Sequence, residues 1–263
     1  MARDNWVRSL GLDTDETLFV EIDSGLRLYD LCINARLPAP TNIHPEDLMR
    51  PENRQLYHRF LTTLKEIDAI IYHSAYDTGH QFRRGDIVVD AGARIGTFAA
   101  KISSDIGDEG KVIAIEPEPH NFACLQKNIE ANSLSNVVAV QKMLWSQAER
   151  LDLYLSANAA AHSAYFDEFY SSTGESIRVE AETLDSILAR LEIDSVDFVK
   201  MDIEGSEIEA LDGMRKALES DVQLAIAAYH PVKGRLTHTT IVPRLEQLGF
   251  KTTYMEGLVQ ARR

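Results

Sequence analysis

An apolar stretch that ends on an acid and then turns through two glycines constrains this chain more than any other segment. It reads Ile87-Val88-Val89-Asp90-Ala91-Gly92-Ala93-Arg94-Ile95-Gly96-Thr97-Phe98. A short β-branched run, a glycine turn and a helical pattern form the unit with which α/β proteins bring main chain close to a small ligand at a helix N-terminus. Two later strand ends repeat the acid, at Glu116 and at Asp202, the latter with Glu204 just beyond. Acids at these tips disfavour a pyrophosphate and suit a ligand that is cationic or rich in hydroxyls.

The alternation of strand and helix continues to the C-terminus. Residues 87–91, 112–116, 137–141, 196–202 and 222–229 read as strands because they are short and nearly all apolar. Residues 96–106 and 119–132 read as helices, the second opening on a proline, which has no N–H to leave unpaired there. Buried strands separated by helices predict a mostly parallel sheet covered on both faces. Residues 250–255 and 258–262, joined by Glu256-Gly257, read as a hairpin, so the sheet is expected to close with an antiparallel strand. A strand at 151–155 is followed by a stretch to Gly174 that carries Tyr165, Phe166, Phe169 and Tyr170. A long insertion beside a ligand crevice predicts a substrate lid, a surface excursion being the plainer reading.

The first 84 residues read as an N-terminal extension, a hairpin and a helical cap, before a main domain at 85–263. Residues 18–31 alternate about an Asp23-Ser24-Gly25 turn. Pro38, Pro40, Pro45 and Pro51 mark an irregular link. Leu56, Phe60, Leu61, Leu64, Ile67, Ile70 and Ile71 recur at helical spacing.

Other features narrow the function. The 263 residues carry a net charge of −14. This repels phosphate backbones and anionic lipid, so neither nucleic acid nor membrane is an expected partner, and its plain role is solubility. Cys32 and Cys124 are the only cysteines, too few for a disulfide framework or a cysteine-based zinc site. The first residues lack the apolar core of a signal peptide, and no apolar run reaches transmembrane length; a cytoplasmic location is expected. No Gly-Lys-Ser/Thr follows the turn, and Arg94 and Thr97 stand where a dinucleotide fingerprint wants glycine. Oligomeric state leaves no sequence signal.

Residues of about 83 to 262 resemble the FkbM-type methyltransferases. The resemblance rests on Gly85 through Ala93, on Val112-Ile113-Ala114-Ile115-Glu116-Pro117, and on Asn121-Phe122 through Asn128. It is strongest at Asp197-Phe198-Val199-Lys200-Met201-Asp202-Ile203-Glu204-Gly205-Ser206-Glu207, with Thr183-Leu184-Asp185 and Tyr229-His230-Pro231 in support. It implies a Rossmann-like seven-stranded methyltransferase sheet and S-adenosylmethionine (SAM) as cofactor. By position, Asp90, Gly92, Ala93, Arg94 and Gly96 belong to the loop around the methionine part, and Asp202 lies nearby. Glu116, with Pro117, would take the ribose hydroxyls, and Gln141, Lys142 and Met143 would lie near adenine. Relatives usually carry asparagine where Arg94 stands; a long cation there is expected either to fold over the cofactor carboxylate or to swing out to solvent.

Methyl transfer to a hydroxyl of a small molecule or sugar is the expected reaction. Asp202, Glu204 and His230 are its catalytic candidates, His230 as base and Asp202 as the acid facing the site. A divalent metal on Asp202 and Glu204 is the alternative to a protein base. Plainer readings stand beside these: Lys200 pairs with a nearby acid, Glu207 favours a helix start, and His230-Pro231 is a turn. His73, His80, His162 and His238 carry no expected role. A nicotinamide-dependent oxidoreductase and a non-catalytic SAM-fold module are the competing functions.

Overall fold

Three short strands open the chain: β1 (Val7–Leu12), β2 (Thr17–Ile22) and β3 (Arg27–Cys32), paired antiparallel in that order. The computed structural model describes residues 6–13, 17–32, 54–156, 161–165 and 172–263. Pro38, Pro40, Pro45 and Pro51, and the lid aromatics Phe166, Phe169 and Tyr170, lie outside the described residues. The predicted hairpin is β2–β3, turned at Gly25 with φ +88°. Helix α1 (Arg54–Ile67) runs into a π-helical turn at Asp68–Tyr72, in place of the single helix expected over 54–72.

The alternation then follows the expected order: β4 (Ile87–Ala91), α2 (Thr97–Ile106), β5 (Lys111–Ile115), α3 (Pro119–Ala131) and β6 (Val137–Val140). Next come β7 (Met143–Leu144), β8 (Glu149–Ser156), β9 (Ser172–Glu182) and α4 (Leu184–Arg190). The chain continues through β10 (Phe198–Met201), α5 (Glu207–Asp212), β11 (Gln223–Ala227), β12 (Pro231–Val232) and β13 (Arg235–Leu236). It ends with α6 (His238–Gln247), β14 (Lys251–Met255) and β15 (Leu258–Arg262).

The main sheet has seven strands in the order β14-β15-β11-β10-β4-β5-β6. Only β15 runs antiparallel to its neighbours. This is the Rossmann-like methyltransferase sheet. The chain winds outward from β4 to β6, then returns to β10 on the other side of β4. Strand order reverses between β4 and β10, which opens a crevice at the carboxyl ends of those two strands.

Period-two alternation divides the strand side chains between two cores. Val89, Ile113, Val199 and Ile226 pack with Leu184, Leu211, Ile241 and Leu245 of α4, α5 and α6. Val88, Val112, Phe198 and Ala225 pack with Phe98 and Ile102 of α2 and Leu125 of α3. Val20, Ile22, Leu28, Ile67 and Ile70 belong to this second core, so the N-terminal segment shares it.

Two asparagines four residues apart, Asn128 on α3 and Asn132 capping its C-terminal end, bind the edge of β3. Asn128 accepts from Tyr29 N at 2.6 Å and donates to Tyr29 O at 3.0 Å. Asn132 accepts from Arg27 N and donates to Arg27 O, both at 2.8 Å. One helical turn matches two residues of strand, and the exposed β edge is satisfied by side chains.

The expected lid is built on a longer hairpin than its sequence suggests. The 11-residue β9 pairs antiparallel with β8. Within the described residues between them, Ser163 and Tyr154 exchange backbone hydrogen bonds of 2.8 and 3.2 Å. Among the described residues, no helix is long and apolar enough to cross a membrane.

Candidate active site

Gly92 makes the crevice possible. At φ +76° its missing side chain leaves room for Asp202, whose carbonyl oxygen would lie 1.8 Å from a Cβ placed there. The N–H groups of Gly92 and Ala93 both donate to Ile115 O, at 3.0 and 2.9 Å. These bonds tie the turn to β5 and bring the tips of β4, β5 and β10 together.

The resulting cavity holds about 560 Å³, open mouth included. Of the residues singled out in the sequence, Gly92, Arg94, Glu116, Pro117, Lys142, Met143, Asp202 and Glu204 line it. Asp90, Ala93, Gly96, Gln141 and His230 are not in its wall. Ile115, Leu144 and Leu153 supply an apolar side, and His162 and Ala164 line the cavity from the β8–β9 connection. His162, for which no role was expected, therefore lines this cavity, together with Ala164 of the same connection.

Asp90 lies beneath the cavity floor. It is fully buried, and its Oδ1 sits 2.9 Å from Lys200 Nζ, its register partner on β10. Lys200 also donates to Gly92 O at 2.7 Å. Burial lowers the Lys200 pKa, but Asp90 and then Asp202 outweigh it and hold the ammonium above its ordinary value. This pair fixes the turn from behind.

Arg94 takes neither orientation expected of it. Its side chain is 8% exposed and points into the protein, away from solvent. Nη2 donates to Asp30 Oδ2 on β3 at 2.7 Å, and Nη1 pairs with Glu66 on α1. Thr97 donates to the other Glu66 oxygen at 2.6 Å, and Thr63 donates to Asp30. Burial opposes the charge, yet Glu66 and Asp30 outweigh it and raise the Arg94 pKa. The backbone of Arg94, at φ +50°, meanwhile donates to Glu116 Oε2 at 2.9 Å.

Glu116 receives a second amide, from Glu118 at 3.0 Å on Oε1. Burial pushes its carboxyl up to about 7, against the lowering effect of these two amides. Glu118 then caps α3 by accepting from Asn121 N at 2.7 Å.

At the opposite end Asp202, Glu204 and His230 converge. His230 Nε2 lies 3.3 Å from Glu204 Oε2 and 3.6 Å from Asp202 Oδ1. Its Nδ1 lies 2.9 Å from Glu207 Oε1. That fully buried oxygen also accepts from Gly205 N at 3.1 Å and Ile203 N at 3.4 Å, fixing the loop that carries Glu204 at φ +53°. Glu207 thus holds both the loop and the imidazole. Tyr76, which no sequence pattern marked, donates to Asp202 Oδ2 at 2.5 Å and lays its ring 5.2 Å from Lys200 Nζ. Burial pushes the Glu204 carboxyl up to about 8, reinforced by Asp202 and opposed by His230. Burial lowers His230, but Glu207 and then Glu204 outweigh it and raise the imidazole to about 9.

The residues present fit SAM. Glu116 is a pure hydrogen-bond acceptor suited to a diol, Met143 and Leu144 offer an apolar wall for a purine, and Asp202 and Glu204 offer negative charge to a sulfonium.

Comparison with known proteins agrees with this geometry. A family profile described as "Methyltransferase FkbM domain" matches residues 90–252. The "31-O-demethyl-FK506 methyltransferase FkbM" of Streptomyces tacrolimicus is 26% identical over 185 residues, covering 60% of this chain and 70% of that protein. The "Hexuronic acid methyltransferase AglP" of Haloferax volcanii is 30% identical over 147 residues, 55% of this chain and 56% of that protein. The chain thus matches 56% of the length of one relative and 70% of the other. Among solved structures, Aeropyrum pernix fibrillarin with bound S-adenosyl-L-methionine superposes with a TM-score of 0.47 at 12% identity, covering 97% of this chain and 98% of that one. The profile spans more than half of the sequence and includes the acids at all three strand ends, so the chain belongs to the FkbM methyltransferase domain family.

Proposed function

We propose that this protein transfers a methyl group from SAM to a hydroxyl oxygen of a small molecule or sugar. One observation carries the reading: a single cavity has Glu116 at one side and the carboxylates of Asp202 and Glu204 at the other. The former suits the cofactor's ribose, the latter its sulfonium and an incoming hydroxyl. Two relatives, a 31-O-demethyl-FK506 methyltransferase and a hexuronic acid methyltransferase, support an oxygen acceptor of this kind.

When bound, SAM supplies an activated methyl group, so the protein's task is orientation and removal of one proton. Glu116 would hold the ribose diol, its two oxygens set by the Arg94 and Glu118 amides. Met143 and Leu144 would flank the adenine. Asp202 and Glu204 reach the cavity and would accept the hydrogen bond of the acceptor hydroxyl. His230 stands behind them, outside the cavity wall and ringed by three carboxylates, so it is placed to position Asp202 and Glu204 and not to touch the acceptor. The segment before residue 85 would serve as a cap that braces the glycine turn.

The test is a methyl-transfer assay with labelled SAM against hexuronic acids and 31-O-demethyl-FK506, run beside calorimetry with the demethylated product. Product binding with label appearing on an oxygen supports the reading. Failure to bind, or label on nitrogen, overturns it.

A further inference from the structure

At the acceptor end of the cavity three side chains bring ligand atoms close together. Asp202, Glu204 and His230 each offer one ligand atom, and these atoms lie within 4.8 Å of one another. Each residue is also pinned by its other side. Asp202 Oδ2 is held by Tyr76, leaving Oδ1 without a hydrogen bond. Glu204 is held by its backbone, whose carbonyl accepts from Ser163 Oγ at 2.5 Å. His230 is held at Nδ1 by Glu207. His230 is 4% exposed, and neither ring nitrogen makes a well-aligned hydrogen bond: Nδ1 lies 2.9 Å from Glu207 Oε1, and Nε2 faces the two other carboxylates. A buried imidazole with one nitrogen fixed by a carboxylate and the other aimed at open ligand atoms is the usual support around a metal-binding histidine.

We propose that Asp202, Glu204 and His230 bind one divalent transition cation. The inference rests on the active-site reading above and adds a ligand to that site. A nitrogen donor beside two carboxylate oxygens favours Mn²⁺ or a later first-row ion over Mg²⁺ and Ca²⁺, which prefer oxygen alone. Because Asp202 and Glu204 also line the cavity, the cation's remaining positions face the space an acceptor oxygen would enter. Glu207 acts as a positioning residue, setting the imidazole that completes the site.

The experiment is titration of this chelator-treated chain with Mn²⁺ alone, followed by the electron paramagnetic resonance signal of free Mn²⁺. One saturable site per chain is expected, with a rise in melting temperature on binding and no displacement by an equal concentration of Mg²⁺. H230A is expected to abolish the site. E204Q is expected to weaken it at least tenfold, and E207Q by about 10–100-fold. Melting curves without Mn²⁺ identify any variant that is unfolded. Absence of saturable binding, or unchanged Mn²⁺ affinity in both folded E204Q and H230A, overturns the proposal. Calorimetry with the demethylated cofactor on the same metal-free protein separates the two ideas: product binding without Mn²⁺ binding removes the metal site and leaves the methyltransferase reading standing.

Discussion

The two ends of the cavity handle buried charge in opposite ways. Behind the cofactor end, one guanidinium meets two carboxylates, and Thr63 and Thr97 donate to the same two acids. At the acceptor end, one imidazole faces three carboxylates, and Asp202 Oδ1 and His230 Nε2 make no hydrogen bond. The first arrangement pairs both acids, leaves Arg94 Nε without a hydrogen bond, and fixes the main chain. The second leaves side-chain atoms of three residues facing one another, a state that a protein interior tolerates where a ligand supplies the missing partners. In the proposed function Arg94 would act on the cofactor through its backbone amide to Glu116, whereas Asp202 and Glu204 would act through their side chains.

The comparison is broken most severely at the acceptor end. E204Q is expected to lower turnover by about 10²–10⁴-fold, the range of a lost proton-transfer group, with cofactor affinity little changed. Steady-state kinetics beside product calorimetry checks this; an equal loss in both would place Glu204 in cofactor binding.

The cofactor end should respond in stability. R94A strands two buried acids, and removing one partner of such a pair costs about 3–5 kcal/mol. R94K is expected to recover little, because an ammonium lacks the fork that meets Asp30 and Glu66 together. Denaturant unfolding measures both, and a wild-type midpoint in R94A would remove the bracing role. A smaller effect is expected for T97V, which deprives Glu66 of one donor at a cost of about 1–3 kcal/mol.

Acidity gives the mildest test. Glu116 rises from 4.5 to about 7 on folding because it is buried. Its contribution to stability is therefore full below pH 4.5 and is lost as pH rises through about 7. The ligand responds with the opposite sign, since ribose hydroxyls donate to the ionised carboxylate. Product affinity is expected to rise about tenfold between pH 6 and pH 8 and to be flat in E116Q.

Much of this was legible in the sequence where the signal is local. The five parallel strands and the closing hairpin announced themselves as short apolar runs between turns, and the acid tips fell where strand ends placed them. β9 escaped because it opens on polar residues, Ser172-Thr173-Gly174-Glu175-Ser176, and owes its strand state to pairing with β8. Arg94 was misplaced for a related reason. Its partners lie 64 and 28 residues earlier, at Asp30 and Glu66, and only the docking of β3 and α1 behind the turn brings them close. Tyr76 sits in a turn with no periodicity to mark it, although it reaches Asp202 across 126 residues. His230 was visible as a candidate, but its ring of carboxylates was not.

The central claim is that this cavity binds SAM through Glu116 and performs its chemistry at Asp202 and Glu204. Titration calorimetry of the demethylated cofactor into wild type, E116Q and E204Q tests it most directly. The account predicts one site per chain in wild type, affinity about 10–100-fold weaker in E116Q, as expected for loss of hydrogen bonds to a charged group, and near-wild-type affinity in E204Q. No binding to wild type, or full affinity in folded E116Q, would contradict it.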